Sequence, residues 1–80
     1  MSINEEQLKQ TMATTIGVPL SEIEENSSID TIEKWDSLKH MNLILALETV
    51  FDVSFTDEES VEILNYEIIK ATLKSHGILF

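Results

Sequence analysis

From Asp36 to Phe51 the chain places Leu38, Met41, Leu43, Ile44, Leu45, Ala46, Leu47, Val50 and Phe51 in one short stretch. On a helical wheel these side chains occupy more than one side, and a helix that is apolar on more than one side belongs in the middle of its fold. At roughly 1.5 Å per residue it is about 22 Å long. A chain of 80 residues holds one hydrophobic core and has no room for a second, so the rest of the sequence must be arranged around this helix. The expectation is a single domain over residues 1-80.

The flanking segments supply three more helices. Ser2 and Glu5 have the spacing of a capping box, behind which Leu8, Met12 and Ile16 recur every four residues on one face. Gly17 and Pro19 stop that helix. The stretch from Ser21 to Lys34 is polar and acidic, with Ile23, Ile29 and Ile32 as scattered anchors, which predicts a long loop fastened to a core. On the central helix, Ser37, Lys39, His40, Asn42, Glu48 and Thr49 form the solvent strips. Phe51 to Phe55 alternates like a strand but has no second strand to pair with, so it is a connecting loop. Thr56 and Glu59 form a second capping box that opens a short helix carrying Val61, Ile63 and Leu64. Asn65 caps a last helix, which turns Ile68, Ile69 and Leu73 inward, sets Lys70 and Lys74 toward its C-terminus and ends at Gly77. The fold class expected is all-α, a four-helix bundle with a short third helix and a long loop between the first two.

Composition excludes several functions. The chain has no cysteine, so disulfides, thiolate metal sites and a cysteine nucleophile are ruled out together. Fifteen acidic residues face five lysines and no arginine, a formal charge of -10 that repels nucleic acid and anionic membranes and speeds encounter with basic surfaces. The start Met-Ser-Ile-Asn-Glu-Glu lacks the basic and apolar runs of a signal peptide, and no stretch is long enough to span a bilayer. A cytoplasmic monomer without membrane insertion is expected. The acidic cluster Asp52 to Glu59 fails as a calcium loop, because Asp57 stands where glycine is required and Ile63 where a bidentate glutamate is required. His40 and His76 have no ligand-like neighbours, so no metal site is expected.

The chemistry-bearing candidate is Asp36-Ser37-Leu38, where the acidic loop meets the central helix. Ser37 lies in the first turn with its hydroxyl exposed, and a phosphodiester on it would face unpaired backbone N–H groups at the positive end of the helix dipole. Leu38 is expected to point inward and anchor the turn. The plain alternative is that Asp36 or Ser37 is only an N-cap, the usual role of such residues before an apolar run. A hydrolase needs a base and an orienting acid, and the Gly-x-Ser-x-Gly elbow is missing. His40, an exposed residue three positions on, is the only conceivable base. Trp35 either packs under the loop or shapes the surface beside Ser37, and Met41 either faces partners or enters the core. No catalytic residue is expected.

The segment Trp35 to Phe51 (Trp-Asp-Ser-Leu-Lys-His-Met-Asn-Leu-Ile-Leu-Ala-Leu-Glu-Thr-Val-Phe) resembles the attachment-site helix of acyl carrier proteins. The likeness continues through Phe55 to Glu59 and Ile68 to Gly77, and upstream through Gly17, Ile23 and Ser27-Ser28-Ile29. It implies a helical bundle with 4'-phosphopantetheine, taken from coenzyme A, attached covalently at Ser37 between Asp36 and Leu38. It also implies a phosphopantetheinyl transferase, an acyl-loading ligase or acyltransferase, and downstream synthase enzymes of fatty acid or polyketide type as partners. The cargo it implies is an acyl or aminoacyl thioester. Lys39, His40, Met41 and Glu48 are then the partner-facing residues. Carriers of fatty-acid synthesis are usually acidic at several positions of this helix, where Lys39, Asn42, Thr49 and Val50 stand here and only Glu48 is acidic. That pattern resembles stand-alone carriers of specialised pathways. The competing reading is a non-carrier acidic module that binds partners through the same helix.

Overall fold

The computed structural model describes residues 3–80. Among them the chain forms α1 (Ile3–Ile16), a 3-10 turn (Leu20–Glu22), α2 (Ser37–Phe51), α3 (Asp57–Glu62) and α4 (Tyr66–Ser75). The fold is all-α, with the short third helix and the long first loop in the expected places. The Ser2 end of the first capping box lies outside the described residues.

The periodic side chains of three helices meet in one core. Leu8, Met12 and Ile16 of α1 are fully buried against Leu43, Leu47 and Phe51 of α2 and Tyr66, Ile69 and Leu73 of α4, with Trp35 and Ile63 completing the cluster. These spacings of three or four bring side chains onto one stripe per helix. Just past α1, Gly17 takes a left-handed conformation (φ +87°), and its amide and that of Val18 both donate to the Ala13 carbonyl at 2.9 and 3.0 Å. Beyond α2, Asp52 is left-handed too (φ 54°), a conformation that aspartate tolerates better than most residues.

The Ser21 to Lys34 loop is fastened as its three isoleucines suggest: Ile23 and Ile32 are buried and Ile29 packs against the core. A backbone clip adds to this. The Ile29 amide donates to the Leu64 carbonyl and the Tyr66 amide to the Ser27 carbonyl, each at 2.9 Å, pairing the loop with the junction between α3 and α4. Ser27, buried, accepts from the Glu24 amide at 2.7 Å through its hydroxyl.

Several sequence expectations are corrected here. Leu38 is 69% exposed and does not enter the core, and Leu45, Val50 and Ile68 are exposed as well; Met41, 66% exposed, takes the surface one of the two positions open to it. The reason is coverage. α2 turns only its Leu43, Leu47 and Phe51 stripe onto α1 and α4, while α3, six residues long and with no buried side chain, is too short to cover the opposite stripe. α3 also stops before Ile63 and Leu64, leaving Ile63 as a plug past its end. Its start is as expected, with Thr56 Oγ1 accepting from the Glu59 amide and Glu59 accepting from the Thr56 amide.

Candidate functional site

The site is built on the first turn of α2. Asp36 has extended backbone and its carboxylate accepts from the Lys39 amide at 2.9 Å, so of the two capping candidates Asp36 is the N-cap. Ser37 is therefore the first helical residue, exposed to solvent. First-turn geometry leaves the Ser37 and Leu38 amides without intrahelical acceptors at the positive end of the dipole.

The turn is not anchored by Leu38. What holds it comes from either side. Trp35 is 1% exposed and packs in the core, which decides between the two roles open to it from sequence. Two lysines bind the C-terminus of α1: Lys39 Nζ donates to the Ile16 carbonyl at 2.8 Å and Lys34 Nζ to the Gly17 carbonyl at 3.3 Å. Cations at a helix C-terminus meet unpaired carbonyls and the negative dipole end, so the pair ties α1 to the turn that bears Ser37.

His40 is half-buried rather than exposed. Its Nδ1 accepts from the Trp35 indole at 3.2 Å and its Nε2 lies 2.8 Å from the Ser60 carbonyl. Both ring nitrogens are thus engaged away from Ser37, and the base that a hydrolase reading needs is already occupied. Glu48 is likewise turned inward, its carboxylate accepting from the Phe55 amide at 2.9 Å. Of the four partner-facing candidates, Met41 is exposed, while Lys39, His40 and Glu48 have their polar atoms in contacts within the chain.

Leu38, Met41 and Leu45 form an exposed stripe on α2, and Val61 on α3 faces solvent as well. Between the helices runs a groove of about 300 Å³ lined by His40, Met41, Ile44, Leu45, Ser60 and Val61. A hollow of about 400 Å³ under the long loop, lined mainly by polar residues from Ser21 to Thr31, includes no residue of the Ser37 turn. At the far end of α3, His76 Nε2 lies 3.1 Å from both Glu59 oxygens. The Thr56 amide first, and then His76, hold the Glu59 carboxyl below its ordinary value of 4.5.

Sequence reasoning did not find the Trp35 to Ser60 bridge or the lysine caps on α1. Spacings of five, twenty and twenty-three residues carry no periodic signal, so only the folded chain shows them. Among the described residues, no helix is long and apolar enough to cross a membrane, and no group of three or more His, Asp or Glu is placed to hold a metal ion.

No family model matches the chain. The chain is 35% identical over 72 residues to an acyl carrier protein of Clostridium acetobutylicum, an alignment covering 89% of this chain and 92% of that protein. That identity, over most of both chains and joined to an all-helical fold, shows that this chain belongs to the acyl carrier protein family.

Proposed function

We propose that Ser37 carries a 4'-phosphopantetheine arm on which acyl or aminoacyl groups travel as thioesters. The observation that carries this reading is the placement of Ser37 as the exposed first residue of a capped, well-anchored turn. The serine oxygen forms the new bond to phosphorus while the nucleotide part of coenzyme A leaves. The phosphodiester then sits at the positive end of α2 beside the free first-turn amides. Because the chain contains no cysteine, the thioester sulfur has to be that of the arm.

In this reading residues 1-80 act as one cytoplasmic carrier domain that visits a phosphopantetheinyl transferase, a loading enzyme and downstream synthases. Asp36 and Leu38 frame the attachment point. The exposed Leu38, Met41 and Leu45 stripe lies beside it for partners to meet, and the chain performs no catalysis of its own.

The test is intact mass after incubation with coenzyme A and a broad-specificity phosphopantetheinyl transferase. Wild type gains one phosphopantetheine and Ser37→Ala gains none. Because Asp36 and not Ser37 is the cap, Ser37→Ala should leave stability within about 0.5 kcal/mol of wild type. An unmodified wild type, or label on Ser28 or Ser54, would falsify the assignment.

A further inference from the structure

We propose that His40 is a positioning residue for Ser37: as the neutral Nε2–H tautomer it bridges Trp35 to Ser60 and so fixes α3 to the turn that bears the attachment point. This rests on the reading of Ser37 given above.

The tautomer follows from the partners. The Trp35 indole nitrogen can only donate, so His40 Nδ1, 3.2 Å away, has to accept. The ring proton is then on Nε2, where it is donated to the Ser60 carbonyl at 2.8 Å. The two rings lie 6.0 Å apart at an interplanar angle of 30°, a packing that supports the same alignment.

Ser60 has a reason to accept this bond. Its carbonyl lies in the last turn of α3, where helical hydrogen bonding runs out. The Leu64 amide, which would close the next helical bond onto Ser60, donates instead to the Glu62 carbonyl at 2.8 Å. His40 thus caps the C-terminal end of α3 from a different helix.

Besides the apolar contacts that flank it, the buried Ile63 just past its end and Phe55 before it, α3 is positioned by polar ties. None of its six residues is buried, so its orientation depends on ties at its ends. The bond from the Phe55 amide to Glu48 fixes the segment leading in, and the pair of Glu59 with His76 fixes it to the end of α4. The His40 bridge is the tie that reaches the site. Trp35 lies two residues before Ser37 and His40 three after it. With the bridge closed, α3 forms a fixed wall opposite the exposed face of α2, and an enzyme approaching Ser37 meets one surface instead of a range of them.

The test uses the whole chain with three substitutions at one position, chosen by what each keeps. His40→Asn retains an acceptor near the place of Nδ1, His40→Gln retains a donor near the place of Nε2, and His40→Phe retains the ring and neither bond. Nitrogen-15 spectra read the ring tautomer of His40 and the indole N–H of Trp35, the single tryptophan. Amide exchange reads α3, and mass spectrometry reads the initial rate of phosphopantetheine addition.

Wild type is expected to show the Nε2–H pattern. His40→Phe and His40→Asn should speed α3 amide exchange roughly three- to tenfold, the range of one net hydrogen bond, and slow addition at Ser37 several-fold, while His40→Gln, which keeps only the Ser60 leg of the bridge, restores the slow exchange and part of the addition rate. Trp35 indole protection should survive in His40→Asn and be lost in the other two. If His40→Phe does not fold, Trp35→Phe takes its place, and should release the fixed tautomer and slow addition. An Nδ1–H ring in wild type, or addition rates unchanged across variants of a wild type that is modified, overturns the positioning role alone. A wild type that accepts no arm overturns the Ser37 assignment, and the positioning role with it.

Discussion

Tyr66 lies inside the core, yet its hydroxyl meets no hydrogen-bond partner among the described residues. Loss of solvent, aided by the Glu5 and Glu25 carboxylates, pushes the phenol from its ordinary 10.0 up to about 12. A group whose folded value is raised contributes stability that is fully present below its unfolded value and is lost as pH climbs through the folded one. Stability should therefore fall between pH 10 and about 12, where the unfolded chain has released a proton that the folded chain still holds. Tyr66→Phe should abolish this part of the alkaline loss. Because the hydroxyl is buried without a partner among the described residues, the variant should also match or exceed wild type at pH 7, by up to about 1–3 kcal/mol. Urea unfolding of both proteins at pH 7 and pH 11 measures this, and a marked loss at pH 7 would show that the hydroxyl is bonded after all. Single residues differed in how much of their role was legible beforehand. The Asp36 cap and the exposure of Ser37 follow from local chemistry, since both depend on the turn that contains them. His40 and Lys39 do not, since their partners arrive from other elements.

Among the elements, α3 depends most on polar ties, and Glu59 takes part in two of them. Its carboxylate closes the capping box with Thr56 and meets His76 from α4, and both bonds favour the charged form. A carboxyl held below its ordinary value contributes stability that is present above the unfolded value and is lost as pH falls through the folded one. Wild type should accordingly lose melting temperature as pH drops below the 4.5 of an ordinary glutamate, and Glu59→Gln should lose less over the same interval. Thermal melts between pH 7 and pH 3 compare the slopes, and parallel slopes would remove Glu59 from the account of acid sensitivity. Helix α1 is readable from spacing because it buries one stripe, and α4 is so except at Ile68, expected inward and found exposed. The second apolar stripe of α2 reads on the wheel as belonging to the middle of the fold, yet Leu38 and Leu45 on it are exposed. A helical wheel tells which side chains share a face, but not whether a neighbour is long enough to cover that face.

Over the whole molecule, five lysines answer fifteen acidic groups, and most of them are committed within the chain. Lys39 and Lys34 cap α1, while Lys70 pairs with Glu5 at 2.8 Å and lies over the Phe80 ring. The remaining negative charge repels itself across a small surface. Raising ionic strength from about 0.01 to 0.15 M shortens the screening length from about 30 to 8 Å, so the melting temperature should rise with moderate salt. A flat response would show that the internal lysines already offset the field. The four-helix plan and the Asp36-capped turn were legible because both are written in local spacing, whereas the groove between α2 and α3 depends on where the short helix comes to rest. The clip between the long loop and the junction of α3 with α4 carries a kinetic consequence. Its two backbone bonds join Ser27 to Tyr66 and Ile29 to Leu64, so they close only around a chain segment that includes all of α2 and α3. Closing so large a ring costs chain entropy before any contact within it is gained, so the clip weighs on the speed at which this molecule folds more than on how stable it finally becomes.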